Sequence, residues 1–273
     1  MGCVGAPKMF LELLKKLPKE DIEFIARNVL KKNRLDLKGM YDLLRRKINS
    51  VRVRRYVLFF SRLRGLVTQE FLMFKSFREI GLRSLCRLLG LSYVDVLPVA
   101  RKYDDNISHA WYLSERRIPS KPTQVRDGLV LRYDKLMVLL ISKANGPLSD
   151  SLIESGISQQ RFPPYLMREL LKMKANFTRL VFLTRREITG VWGVDRIILE
   201  GENVLTGFYE LIKRQDRFKR EVSLFGPLVE IEVEGNVAIS SSGIIRAKSL
   251  ESLLRILPSI REVISKHEAS SQR

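Results

Sequence analysis

Between Lys31 and Arg64 the chain reads KKNRLDLKGMYDLLRRKINSVRVRRYVLFFSRLR. Twelve Lys or Arg stand there against only Asp36 and Asp42, a local net charge of +10 out of +19 for all 273 residues. Charge this dense has to stay in water, yet Tyr56, Val57, Phe59, Phe60 and Leu63 in the same stretch have to leave it. A helix reconciles the two demands, with the apolar set turned inward and Arg54, Arg55, Arg62 and Arg64 outward. The self-repulsion is relieved either by a generously solvated face or by an anionic partner. A polyanion suits the second option, because neutralising its phosphates releases condensed counterions without any reading of sequence.

Three more helices are expected around this one. KMFLELLKKL keeps apolar residues at helical spacing and stops at Pro18. Pro18, Glu20 and Asp21 suit the first turn of DIEFIARNVLKK, and Asp36 is placed to cap LKGMYDLLRRKI. The charge is lopsided along the chain. Residues 1–125 carry 26 basic and 12 acidic side chains, a net of +14, whereas residues 126–273 carry 23 and 18, a net of +5. The first half is therefore the expected polyanion surface.

Apolar content of 45% and charged content of 29% describe an ordinary folded chain. The two cysteines, Cys3 and Cys86, permit at most one bridge, and together with His109 and His267 they form no metal-ligand spacing, so a reducing interior is expected. No apolar run reaches the roughly 18 residues of a membrane span, and MGCVGAPKMF lacks the apolar core of a secretory signal. These features point to a cytoplasmic protein, nucleoid-associated if the source is prokaryotic.

Residues 81–103 read GLRSLCRLLGLSYVDVLPVARKY. Leu82, Leu85, Leu88 and Leu89 share a helical face, Cys86 is small, Gly90 permits a tight turn and Ser92 is placed to cap a second helix. This resembles the helix-turn-helix superfamily. The resemblance implies that the second helix enters the DNA major groove, offering Tyr93, Asp95, Arg101 and Lys102. Pro98, inside that second helix, departs from the pattern. DDNISHAWYLSERRIPSKPTQVRD, residues 104–127, then reads as a linker pinned by Trp111 and Tyr112.

LVLRYDKLMVLLISKANG reads as an apolar helix, PLSDSLIESGIS as a helix and turn, FPPYLMRELLKMKAN as a late-starting third helix, and TRLVFLTRREITGVWGV as a hairpin wing. In this order of elements residues 128–192 resemble the winged-helix superfamily. The resemblance implies a basic wing tip touching phosphates, which Arg179, Arg185 and Arg186 match. Pro163 and Pro164 depart from it by turning Gln159, Gln160 and Arg161 into loop. Residues 193–273 continue as strand, helix, three short strands and a helix bent at Pro258. That order resembles roadblock or profilin-like domains and, more loosely, half of a TATA-binding saddle. A plain antiparallel sheet covered by two helices is the simpler reading of the same order and is preferred to either family.

Catalytic patterns are weak. Glu230, Glu232 and Glu234 alternate, as metal ligands or as the wet face of a strand, and Asp195, Glu200 and Glu202 permit only a loose Mg²⁺-nuclease reading. No phosphate-cradling glycine motif and no nucleophile with a visible base is present. No catalytic residue, metal or cofactor is expected.

The sequence thus predicts an α+β protein. It comprises a multi-helical basic N-terminal domain (1–103), a linker (104–127), a winged-helix-like middle (128–192) and a small antiparallel-sheet α/β C-terminal domain (193–273). The expected function is DNA binding, in a transcription or chromosome-maintenance factor. The contact set is Arg45, Arg46, Lys47, Arg52, Arg54, Arg55, Arg62, Arg64, Tyr93, Arg101, Lys102, Arg185 and Arg186. Most of these neutralise phosphate and do not read bases. RNA is the alternative partner, with Tyr56, Phe59, Trp111 or Tyr112 stacking on unpaired bases. A Mg²⁺-dependent nuclease and a protein–protein adaptor complete the alternatives, and the C-terminal domain is a candidate for self-pairing or for a protein partner.

Overall fold

The computed structural model describes residues 5–31, 35–67, 69–76, 80–115, 126–143, 146–184, 195–217 and 225–271. They are helices combined with antiparallel strands, an α+β chain that divides into two compact units. The first comprises Met1–Gln159 with Ser249–Glu251; the second comprises Gln160–Lys248 with Ser252–Arg273. The expected boundaries at 103, 127 and 192 fall inside these units.

The first unit begins with four helices: α1 (Gly5–Lys16), α2 (Lys19–Leu30), α3 (Leu37–Arg46) and α4 (Val51–Leu63). Their limits reflect local chemistry. Pro18 precedes α2 and places Glu20 and Asp21 in its first turn. Asp36 caps α3 by accepting a hydrogen bond from the Gly39 amide at 2.9 Å. Helix α4 is the middle of the layer. From Tyr56 to Leu63 every residue is buried, and the helix packs on α1 and α2 as well as on two strands, β2 (Leu91–Asp95) and β3 (His109–Glu115). Phe60 meets Phe24 of α2 at a ring distance of 5.3 Å, and Phe59 meets Tyr112 of β3 at 5.3 Å.

The sheet of this unit runs β2-β3-β4-β5-β1, with β1 spanning Gln69–Ser76, β4 Asp127–Tyr133 and β5 Leu136–Ser142. A two-residue strand, β6 (Ser158–Gln159), also pairs with β1, and every pairing is antiparallel. Helices α5 (Leu82–Leu89), α6 (Leu97–Ala100) and α7 (Gly146–Glu154) complete the unit. Leu85, Cys86 and Leu89 of α5 join Leu148 and Leu152 of α7 and strand residues including Phe74, Leu113 and Leu139 in one core cluster.

Three sequence expectations are corrected here. The helix-turn-helix at 81–103 does not form. Gly90 ends α5 in the left-handed conformation as expected (φ 61°), but Leu91–Asp95 then runs as a strand paired with β3. Pro98 fits this: it sits in the first turn of α6, where its missing amide is not needed, whereas in a helix across 92–102 it would remove a backbone hydrogen bond and clash with the preceding turn. Residues 109–115 of the supposed linker are β3, with Tyr112 and Leu113 fully buried between β2 and β4. Finally, LVLRYDKLMVLLIS is a hairpin and not a helix. Asp134, at φ 50°, and Lys135 make its two-residue turn, and Tyr133 pairs with Leu136. Its near-continuous apolar run reflects burial of both sheet faces. The winged-helix order of 128–192 therefore does not form.

The second unit holds α8 (Pro164–Leu170), β7 (Phe177–Thr184), β8 (Arg196–Glu200), α9 (Val204–Arg217), β9 (Phe225–Val233), β10 (Val237–Ser240), β11 (Ile244–Ala247) and most of α10 (Leu250–Ser271). Its strands run β11-β10-β9-β7-β8, all antiparallel. The first strand of the expected wing is β7, which lies between β8 and β9 as an inner strand; the rest of that hairpin, 185–194, lies outside the described residues. One sheet face carries the core: Leu180, Phe182, Leu228, Ile231, Ile239 and Ile245 are buried, with Phe208 of α9 stacked on Phe182 at 4.9 Å. Pro258 lies inside α10, which continues past it.

Candidate nucleic-acid interface

The basic stretch sorts into cations that build the fold and cations that remain outside it. Arg62 belongs to the first group. It is only 5% exposed and is ion-paired with Asp127, the first residue of β4, whose carboxylate also accepts a hydrogen bond from the Tyr112 hydroxyl. Burial works against the Arg62 charge, but Asp127 and Tyr112 outweigh it and hold the guanidinium above its ordinary value. Burial pushes the Asp127 carboxyl up, and Arg62 opposes it. Arg64 grips Asp21 of α2 with two bonds of 2.8 Å each, which raise its pKa.

Arg54 and Arg55 are half-buried and tied down. Arg54 donates to the Ile48 carbonyl at 2.9 Å and to Asn49 Oδ1 at 3.0 Å, and its guanidinium lies over the Phe10 ring at 5.5 Å; its burial lowers its pKa. Arg55 donates to the Ser92 hydroxyl and to the Tyr93 carbonyl, stitching α4 to β2.

The remainder face water. Arg45 and Arg46 fill the last turn of α3 and Lys47 is its C-cap, while Met40 and Leu44 anchor the opposite side of the helix. All three are exposed, and none has an ion-pair partner among the described residues. Arg52 is exposed and donates to the Asn28 carbonyl at 3.2 Å. Lys15 and Lys16, in the last turn of α1, join this set. Lys15 is held above its ordinary pKa by Glu12, 2.7 Å away, while the charge of Arg45 works in the other direction, which puts the ends of α1 and α3 within electrostatic reach of each other. Sequence reasoning passed over Lys15 and Lys16. Their signal was a doubled cation closing a helix, the same pattern as Arg45-Arg46. Cations at these positions also complement the negative ends of both helix dipoles.

Tyr93 is exposed on β2, and Arg101 and Lys102 are exposed just after α6, with Arg101 donating to the Ile107 carbonyl at 3.5 Å. No recognition helix carries them. Arg185 and Arg186 lie outside the described residues. The side chains expected to stack on bases are mostly internal: Tyr56, Phe59 and Tyr112 are buried, and Trp111 is half-buried against His109.

Among the acidic alternatives, Glu230 and Glu232 of β9 have side-chain partners. Glu230 sits between Arg179, at 3.1 Å, and Arg246; Glu232 accepts from Thr178 at 3.5 Å; Glu234 is in a turn at φ 53°, beyond the end of β9. Among the described residues no cluster of three metal-ligating side chains occurs, and no helix is long and apolar enough to cross a membrane. No protein-family model matches this chain, and no curated protein matches it.

Proposed function

We propose that the protein binds nucleic acid by its phosphates, through Arg45, Arg46, Lys47 and Arg52 with Lys15 and Lys16 beside them. The observation that carries this reading is the exposed run Arg45-Arg46-Lys47, which meets no acid among the described residues even though other cations of the same stretch, Arg62 and Arg64, are matched to Asp127 and Asp21. Concentrated unmatched charge at a helix end attracts a polyanion and repels copies of itself.

This reading keeps the phosphate-anchoring role expected of the stretch and narrows its residues. Duplex DNA, in a transcription or chromosome-maintenance factor, stays the leading partner. Burial of Tyr56, Phe59 and Tyr112 takes away three of the four side chains on which unpaired RNA bases would stack. Without a groove-reading helix at 81–103, binding is expected to be largely indifferent to sequence.

Fluorescence anisotropy with duplex DNA, single-stranded DNA and a hairpin RNA, over roughly 50–300 mM salt, tests the reading. The native chain should bind duplex with a steep salt slope. The triple reversal R45E/R46E/K47E should lower affinity for every sequence and flatten the slope by roughly 2–3, about one unit for each phosphate no longer neutralised. An unchanged slope would exclude this helix end as the binding surface.

A further inference from the structure

On the sheet face of the second unit turned away from α9, charges of alternating sign link β11, β9, β7 and β8. Arg246 of β11 is paired with Glu230 of β9. Glu230 is 3.1 Å from Arg179 of β7, and Arg179 is 2.8 Å from Glu200 of β8. The series runs plus, minus, plus, minus, and it stops at Glu200 because β8 is the last strand in the order. Among the described residues β8 pairs only with β7, so the backbone groups along its other side are open to a further strand.

The composition of β8 says what kind of strand fits. It reads Arg196-Ile197-Ile198-Leu199-Glu200, basic at its start, acidic at its end and apolar between. Laid antiparallel on itself about Ile198, it sets Arg196 opposite Glu200 and Ile197 opposite Leu199, whereas a parallel alignment would set like charges side by side. The register with β7 puts Arg196, Ile198 and Glu200 on the same face as Arg179, Val181 and Leu183, the face that carries the alternating charges. Ile198 is 47% exposed there. Ile197 and Leu199 lie on the face covered by α9 and are only half-buried, and α9 leaves Tyr209 46% and Leu211 41% exposed.

We propose that two copies of the chain associate through β8, antiparallel about Ile198, with Arg196 of each copy facing Glu200 of the partner subunit. Arg196 supplies the cation that the series Arg246–Glu230–Arg179–Glu200 lacks at its open end. Glu200 then sits between two guanidinium groups, as Glu230 already does between Arg179 and Arg246. The contact is isologous, so it closes at a dimer and leaves no free edge at β8.

Sedimentation equilibrium of the full chain at about 0.15 M salt, with concentrations reaching about 100 µM, reads the association directly. The native chain should be dimeric. R196E sets Glu against Glu, E200R sets Arg against Arg, and each should raise the dissociation constant at least about tenfold. Melting temperatures and circular dichroism check that each variant is folded. An equimolar mixture of R196E and E200R restores opposite charges at both contacts, so it should recover the dimer that neither variant forms alone. A second variant reads the axis. Ile198→Cys in a Cys3→Ser background should cross-link to its own copy under mild oxidation, because opposed antiparallel Cα atoms stand about 4.5–5.5 Å apart, within disulfide reach. A native chain that is monomeric at the top concentration overturns the proposal. So does a dimer that both charge variants leave intact, or a folded mixture that stays monomeric.

Discussion

At the scale of single residues, charges of one type do opposite work. Arg62 is a buried counter-charge. Removing it in Arg62→Ala would strand Asp127 in the core and should cost about 3–5 kcal/mol, whereas replacing both partners, as in R62M/D127L, should recover most of that loss. Urea unfolding of the three proteins checks it; equal stability of the single and double variants would contradict this account. Lys75 of β1 is half-buried, and burial pulls its ammonium down from 10.5 to about 8. The unfolded chain then holds this proton more tightly than the folded one. Stability should therefore be lower below about pH 8 and rise between there and 10.5. Lys75→Met should melt higher at pH 7 and lose that rise, measured as melting temperature against pH. A rise that persists in the variant would assign it to other groups.

At the scale of elements, the legible parts were those governed by neighbours in sequence. Pro18, Asp36 and Gly90 set helix ends by local backbone chemistry, and each acts where its position predicted. The misread elements were those governed by distant partners. Hairpin β4–β5 is apolar on both faces because other layers cover both, and no local period distinguishes that from a buried helix. Strand β3 sits among polar neighbours, so its alternation was lost in what looked like a linker. In the second unit β9 depends on a similar non-local fit. A Cβ at Gly226 would collide with the Leu183 carbonyl oxygen of β7, where the register between these strands shifts. Gly226→Ala should destabilise the chain by about 1–3 kcal/mol, seen as a lower urea midpoint. No change in midpoint would mean the strands part there freely.

At the scale of the whole molecule, the charge excess of the first 125 residues was plain in the sequence, but its division of labour was not. Telling Arg45 from Arg62 requires knowing that Asp127, 65 positions beyond Arg62, returns to meet α4. That pairing has a practical corollary for dissecting the protein. A fragment ending after α4 would hold the hydrophobic helices and their cations but not the carboxylate that neutralises Arg62. The N-terminal helices are therefore not a detachable module. On the ribosome they must wait about sixty residues for their counter-ion to emerge, and a cloned N-terminal piece would be a poor substitute for the full chain in any binding assay.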